Sequence, residues 1–410
     1  MSSTTDSKLT LSFECDSGRF DARGFEAWAS RLETVRDAWA QNEFVDRESK
    51  SQFTARLPSD LSFLQLPEWL LLSYEQHREA SDLGAVFRIA NGLHDWIDAL
   101  VVLGKSSLID GVEAIFRVCC DPFHNELNRA VRGSKPRLYF ADEASDNDRL
   151  HSLRTRLSEG GYGNGLAEGR WAAIVDGDHP RSVAVLQRLN GPEDLQRAVS
   201  DESPRLLTIF SQVDHPPGLE IDHESLAISK GLADFEMILS TAGLLPAAFL
   251  GLDCIQLLVG AANVNEHFWH QPYSSNLVLQ FIAARLVAMQ CTPADSGSAG
   301  GIEDDGTATL GHAAAVTTTQ SSLRPLVRWF ADVASMPSLP AGPVDGPIKR
   351  PYLAYLAKTL RTDELDREDD FAEVSEDCLR LILPTIDFRP LGEWLQLELI
   401  SRRMIREMTP

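Results

Sequence analysis

Apolar positions in this chain recur with two periods. Over residues 1–95 the spacing is helical. FEAWASRLETVRDAWA (25–40) carries Phe25, Trp28, Leu32, Val35 and Trp39 along one stripe. LPSDLSFLQLPEWLLLSYEQHREA (57–80) places Pro67 where the first turn of a helix tolerates a missing N–H. His94 and Trp96 fall in a further helical run. All of these aromatic and histidine side chains are expected to pack in the core.

The pattern changes near residue 96. ALVVLG (99–104), PRLYFAD (136–142), WAAIVDG (171–177) and RLLTIFS (205–211) are short runs, apolar on both faces. Helical stretches separate them at 111–120, 146–157, and 181–189 with 192–199. Such alternation predicts an α/β fold, a parallel sheet wrapped by helices. VVLGKSSLIDG (101–111) has the layout of strand, phosphate-cradling loop and helix start, although only Gly104 stands where such loops carry several glycines.

Residues 226–290 return to helical spacing. CTPADSGSAGGIEDDGTATLG (291–311) is nearly free of large apolar residues and reads as a flexible surface loop. A strand-like AAAVTTTQ (313–320) and a helix over 323–335 follow. MPSLPAGPVDGP (336–347) is too rich in Pro and Gly to be regular. DCLRLILP (377–384) fits a strand. RPLGEWLQLELISRRMIREM (389–408) fits a terminal helix with its arginines late, where they suit the helix dipole.

Composition narrows the function. With 38 Lys and Arg against 60 Asp and Glu, the formal net charge is −22. This argues against sequence-independent nucleic-acid binding and against anionic membrane surfaces, so neither is an expected partner. No apolar run is long enough to span a bilayer and the first residues lack a signal-peptide pattern, so a cytoplasmic location is expected. Cys15, Cys119, Cys120, Cys254, Cys291 and Cys378 show no CxxC spacing and sit mostly in apolar runs, as buried free thiols do. Glu266-His267-x-x-His270 is not HExxH and lacks an evident third ligand. No metal or cofactor is expected.

STAGLLPAAFLGLDCIQLLVGAANVNEHF (240–268) closely resembles the segment that joins the two sugar-isomerase (SIS) domains of bacterial-type glucose-6-phosphate isomerases. DPFHNELNRAVRGSKPRLYFADEASDNDRLHSL (121–153), RPLVRWFADVAS (324–335) and LPTIDFRPLGEWLQLELI (383–400) also resemble that family. The resemblance implies two SIS-type domains, each a parallel sheet flanked by helices. A helical N-terminal segment (1–95) precedes a first domain at 96–225. A helical connection (226–290) and the flexible loop (291–311) lead to a second, reduced domain (312–388) and a C-terminal helix (389–410).

It also implies aldose–ketose exchange between glucose 6-phosphate and fructose 6-phosphate. That chemistry needs a carboxylate to move a proton between adjacent carbons and a cation to steady the enediolate. The implied site residues are mostly replaced here. The family's Gly-x-Gly-Gly-Ser-x-x-Gly loop falls on Gly104, Lys105, Ser106, Ser107, Leu108, Ile109, Asp110 and Gly111. Its phosphate cradle falls on Asp176-Gly177-Asp178-His179-Pro180-Arg181-Ser182, where two aspartates would repel a phosphate. Its arginine position is Phe235 and its catalytic glutamate position is Met336. The ring-opening histidine has no counterpart, and where a C-terminal lysine is implied the last helix offers only Arg402, Arg403 and Arg406.

The expectation is therefore a non-catalytic or catalytically impaired member of the family. Gly104, Lys105, Ser106, Ser107, His179, Arg181 and Ser182 remain candidates to bind a phosphosugar or other small anion. The alternatives are an active isomerase with a rebuilt site, drawing on residues such as Glu373, Glu376 or His312, and a regulatory or scaffolding partner of an active relative. Family behaviour implies a homodimer.

Overall fold

The computed structural model describes residues 9–14, 22–49, 53–58, 60–121, 123–142, 145–163, 165–167, 169–190, 205–211, 224–290, 380–382 and 387–408. The expected loop at 291–311, the strand-like 313–320, the helix at 323–335, Met336 and the helix at 192–199 lie outside the described residues. The described chain forms two compact units. One lies within 52–259; the other comprises 9–49, 260–290, 380–382 and 387–408.

The first unit is built on a parallel sheet of five strands. β2 (Ala99–Gly104), β3 (Arg137–Asp142), β4 (Trp171–Asp176), β5 (Leu206–Ser211) and β6 (Glu224–Ile228) follow strand β1 (Ser12–Glu14), which belongs to the other unit. Their spatial order is β3-β2-β4-β5-β6, with every neighbouring pair parallel. β2 and β4 are buried along their whole length, as apolar runs covered on both faces must be. On one face, Val101, Leu103, Ala173 and Val175 pack with Leu150, Leu153 and Leu157 of α5 (Asn147–Leu157) and with Val183, Leu186 and Leu189 of α6 (Pro180–Leu189). Each such buried Val or Leu contributes about 1.5–3 kcal/mol. The alternate residues Leu100, Val102, Ala172 and Ile174 are equally buried, and α4 (Ser106–Cys119) packs against β2 and β3.

Several expectations need correction. α4 begins at Ser106, five residues before the helical spacing becomes obvious, because Leu108 and Ile109 already turn inward and are buried. Residues 224–228 are a fifth strand rather than loop and helix; the run Ser225-Leu226-Ala227-Ile228 is too short to separate the two periods. The helical spacing beyond it resolves into a 3₁₀ turn (Asp234–Leu239) and three helices, α7 (Thr241–Phe249), α8 (Cys254–His270) and α9 (Leu277–Gln290). α2 (Leu66–His77) carries Pro67 in its first turn, as expected. α3 (Asp82–Leu93) stops before His94, and Trp96 is 55% exposed in the following turn, not in the core.

Gly243 shows why the GLLP stretch is so particular in sequence. A Cβ there would lie 1.9 Å from the Ile238 carbonyl oxygen, so only glycine lets α7 fold back on the preceding turn. β3 is the edge of the sheet, and side chains cover outward backbone groups near its two ends. The Asn125 amide donates to Leu138 O (2.7 Å) and accepts from Leu138 N (3.0 Å), copying a ladder partner, and Asp142 N donates to Ser145 Oγ (3.1 Å). Side-chain caps of this kind blunt an edge against pairing with another chain.

The second unit is mainly helical: α1 (Ala22–Ser49), the later part of α8, α9 and α10 (Phe388–Met408). The short strand β1 (Ser12–Glu14), unexpected in a helical N-terminal segment, pairs antiparallel with β7 (Arg380–Ile382), which lies within the expected strand at 377–384. Buried charges tie α9 to α10. Arg285 donates to Glu398 (2.8 Å) and to Ser401 Oγ (2.9 Å), and Arg402 donates to the other Glu398 oxygen (2.7 Å). Burial pushes the Glu398 carboxyl up, but the two guanidinium groups outweigh it and hold it below the ordinary range.

Candidate functional site at the carboxyl end of the sheet

The strand order places a topological switch between β2 and β4. From β2 the chain goes outward to β3, then crosses back to β4 and continues the other way. Crevices outside the carboxyl ends of strands at such a point are where open α/β sheets bind ligands. The register pairs Leu103 with Val175, so Gly104 and Asp176 end the two strands side by side. A Cβ on Gly104 would come within 3.5 Å of Asp176 Cβ and 3.2 Å of Leu108 Cδ2.

Two of the sequence-predicted groups meet here. Gly104, Lys105, Ser106 and Ser107 carry the chain from β2 into α4; His179, Arg181 and Ser182 carry it from β4 into α6. Lys105 is the N-cap residue of α4 but gives no side-chain cap. Ser106 Oγ donates to Asp142 Oδ2 (3.3 Å) at the end of β3. Ser145 Oγ donates to the other Asp142 oxygen (2.7 Å). His179 Nδ1 and Ser182 Oγ lie 3.2 Å apart and close the first turn of α6 between themselves. Ser182 is buried, whereas Arg181 is exposed.

Asp176 governs the electrostatics. It is 5% exposed, and its Oδ1 accepts from Asp178 N (3.2 Å). Burial pushes its carboxyl up and Asp178 adds to the effect, while Lys105 and His179 offset them only in part. Asp142 and Asp176 thus end two strands on either side of β2, at the amino-terminal turn of α4. A helix start favours negative charge. Here the protein supplies that charge itself.

Leu108 stands where the resemblance puts a serine, and it is buried over Gly104 rather than offering a hydroxyl to the crevice. Phe235 is half-buried in the 3₁₀ turn that packs on α4. Asp142 and Ser145 were not among the sequence candidates. The available signal was an acid ending an apolar run, at the end of a strand where ligands bind.

Other chemistry-bearing residues settle into structure. Leu277 N donates to His267 Nε2 (2.9 Å), so His267 fastens the turn between α8 and α9. Cys119, Cys120 and Cys254 are free thiols; burial pushes Cys119 well up and Cys120 and Cys254 up to about 12, the opposite of a reactive thiol. Among the described residues no three His, Cys, Asp or Glu side chains are grouped to hold a metal ion, and no helix is long and apolar enough to cross a membrane.

This geometry defines a doubly wound parallel α/β domain with two aspartates at its switch point. No family model matches the sequence. The chain is distantly similar to glucose-6-phosphate isomerases: 22% identical over 223 residues to one from Listeria monocytogenes and 23% over 239 residues to one from Listeria innocua. In both cases the match covers 53% of this chain and 47% of the relative, so the chain spans about half the length of these curated relatives. A crystal structure of a hypothetical protein from Thermus thermophilus shares the fold, with a TM-score of 0.53 at 16% identity over 97% of this chain and 94% of that one. A glucose-6-phosphate isomerase from Chlamydia trachomatis superposes with a TM-score of 0.45 at 15% identity, covering 69% of this chain and 53% of that one.

Proposed function

We propose that this protein is an SIS-type relative of the glucose-6-phosphate isomerases that keeps the ligand-binding frame and does not catalyse the isomerisation. The observation that carries this reading is the pair Asp142 and Asp176 at the start of α4. A phosphate entering there would meet two carboxylates in place of hydroxyls and amides. Leu108 and Phe235 support it, since neither can hydrogen-bond a sugar or an enediolate oxygen. Met336 at the implied glutamate position supports it from the sequence. The crevice then takes a small ligand without a phosphate, through Lys105, Ser106 and His179, or serves a regulatory role beside an active isomerase. The expected layout of two SIS-type domains, the cytoplasmic location and the homodimer remain part of the same reading.

The test is a coupled assay of fructose 6-phosphate conversion, with contaminating isomerase excluded by a mock purification. No turnover above background is expected, and calorimetric titration with 6-phosphogluconate should show no binding at about 1 mM, an affinity of roughly 4 kcal/mol. Robust turnover would support the rebuilt-site alternative instead. In that case Asp176→Asn should abolish it, because Asp176 is a buried carboxyl at the switch point whose proton affinity burial raises.

A further inference from the structure

The outer face of α5 and α6 runs against the charge of the whole chain. Across these two helices stand Arg149, Arg154, Arg156, Arg181 and Arg188, with His151, against a single carboxylate, Asp148. At the chain's average densities a stretch of that length carries about two cations and about three acids. The leucines and valines of both helices face the sheet, and all six basic side chains are exposed. Asp146 and Glu159 lie just beyond the ends of α5, and Asp178 lies two residues before α6.

Two of the guanidinium groups are held in place without being neutralised. Arg156 Nε donates to the Tyr139 hydroxyl (3.1 Å), and Arg188 Nη1 donates to Asn147 Oδ1 (3.1 Å), which joins α6 to the start of α5. Neither Arg149 nor Arg154 has an ion-pair partner among the described residues. A shallow open depression lined by His151, Ser152, Thr155 and Arg156, with the Glu159 carboxylate and Gly160 at its far side, breaks the surface at the end of α5.

We propose that this arginine face is an interaction surface for an acidic segment of a partner protein, gripped by guanidinium–carboxylate pairs. Charge complementarity selects the occupant. Arginine forks fit carboxylates in two-point geometry. A long polyanion or an anionic bilayer feels the whole chain at −22 and is repelled. A short segment lying within about one Debye length, roughly 8 Å at physiological salt, feels the local face instead. The exposed large apolar side chains among the described residues, Trp96, Phe123 and Val131, all lie elsewhere, so the contact is electrostatic and salt-sensitive.

The experiment is fluorescence anisotropy of a labelled glutamate-rich peptide of about twelve residues, long enough to cross two helices side by side, titrated with the full chain at low and high salt. Binding should weaken at least tenfold as the salt rises. Arg154→Glu should weaken it at least threefold, while Arg406→Glu, an equal charge change on α10, should leave it unchanged. Circular dichroism melts check that both variants fold, and the wild-type salt series stands without them. No binding at low salt, equal weakening by both substitutions, or tighter binding of duplex DNA or phosphatidylserine vesicles than of the peptide would each overturn the proposal.

Discussion

The two ends of the parallel sheet treat an aspartate in opposite ways: a half-buried one at the amino end, a buried one at the carboxyl end. At the amino end, Asp98 stands just before β2 and receives Arg170 Nε (2.6 Å) and Arg129, whose guanidinium also donates to the Ile97 and His94 carbonyls. Burial pushes its carboxyl up, but the two arginines prevail and hold it below the ordinary range. At the carboxyl end, Asp176 has no guanidinium among its hydrogen-bond partners in the described residues and stays raised. One end satisfies its charge and contributes stability. The other leaves a charge under-compensated where a ligand could compensate it, which is how a binding crevice differs from a structural ion pair.

The largest test of this contrast lies in the helical unit, where Glu398 is the extreme of the satisfied kind. Arg285→Met removes one of its two buried cations and leaves a carboxylate that Arg402 alone must balance. Breaking a buried pair this way costs about 3–5 kcal/mol, and urea unfolding should show it. Unchanged stability would mean that burial, rather than pairing, dominates there.

Within the sheet unit, Arg129→Ala should cost about 2–3 kcal/mol. It strips Asp98 of one partner and leaves two backbone carbonyls without their donor. The figure stays modest because the guanidinium is partly exposed and solvent screens the ion pair. A loss under about 0.5 kcal/mol would place Asp98 with ordinary surface pairs.

Legibility in the sequence follows the same division. The strands of the sheet centre were readable because Ala99–Leu103 and Trp171–Val175 are apolar on both faces. α5 was readable from Leu150, Leu153 and Leu157. β6 was hidden by its length, and the start of α4 by Ser106 and Ser107, which look like loop until Leu108 and Ile109 are seen packed. Lys105 and Ser106 could be placed at one loop end from the pattern, and His179 and Ser182 at another from the family resemblance. Their meeting could not, because neighbourhood across β2 and β4 comes from strand order, which local pattern does not encode. Asp142 was missed for that reason: it reaches the site from the edge strand, through Ser106.

Asp176→Asn should move stability the other way. It removes the charge that burial and Asp178 oppose, while the amide oxygen can still accept from Asp178 N. A gain of about 1 kcal/mol near neutral pH is expected, the usual sign when a site strained for binding is relaxed. A loss of stability would mean that Lys105 and His179 compensate the carboxylate fully, and the crevice would then resemble the amino end.

The smallest effect, and the sharpest on sign, is pH dependence. Asp98 is lowered when folded, so its contribution is complete above the ordinary carboxylate value of 3.8 and is lost as pH falls through its folded value. Asp176 is raised, so the stability it lends is complete below 3.8 and is lost as pH rises through its folded value. The two windows lie on opposite sides of 3.8. Urea midpoints across the acid range should therefore separate them. Asp98→Asn should flatten the acid limb alone, and Asp176→Asn should flatten only the limb above it. If both substitutions flatten the same limb, the two ends of the sheet carry one kind of aspartate, and the case for an under-compensated crevice fails with that result.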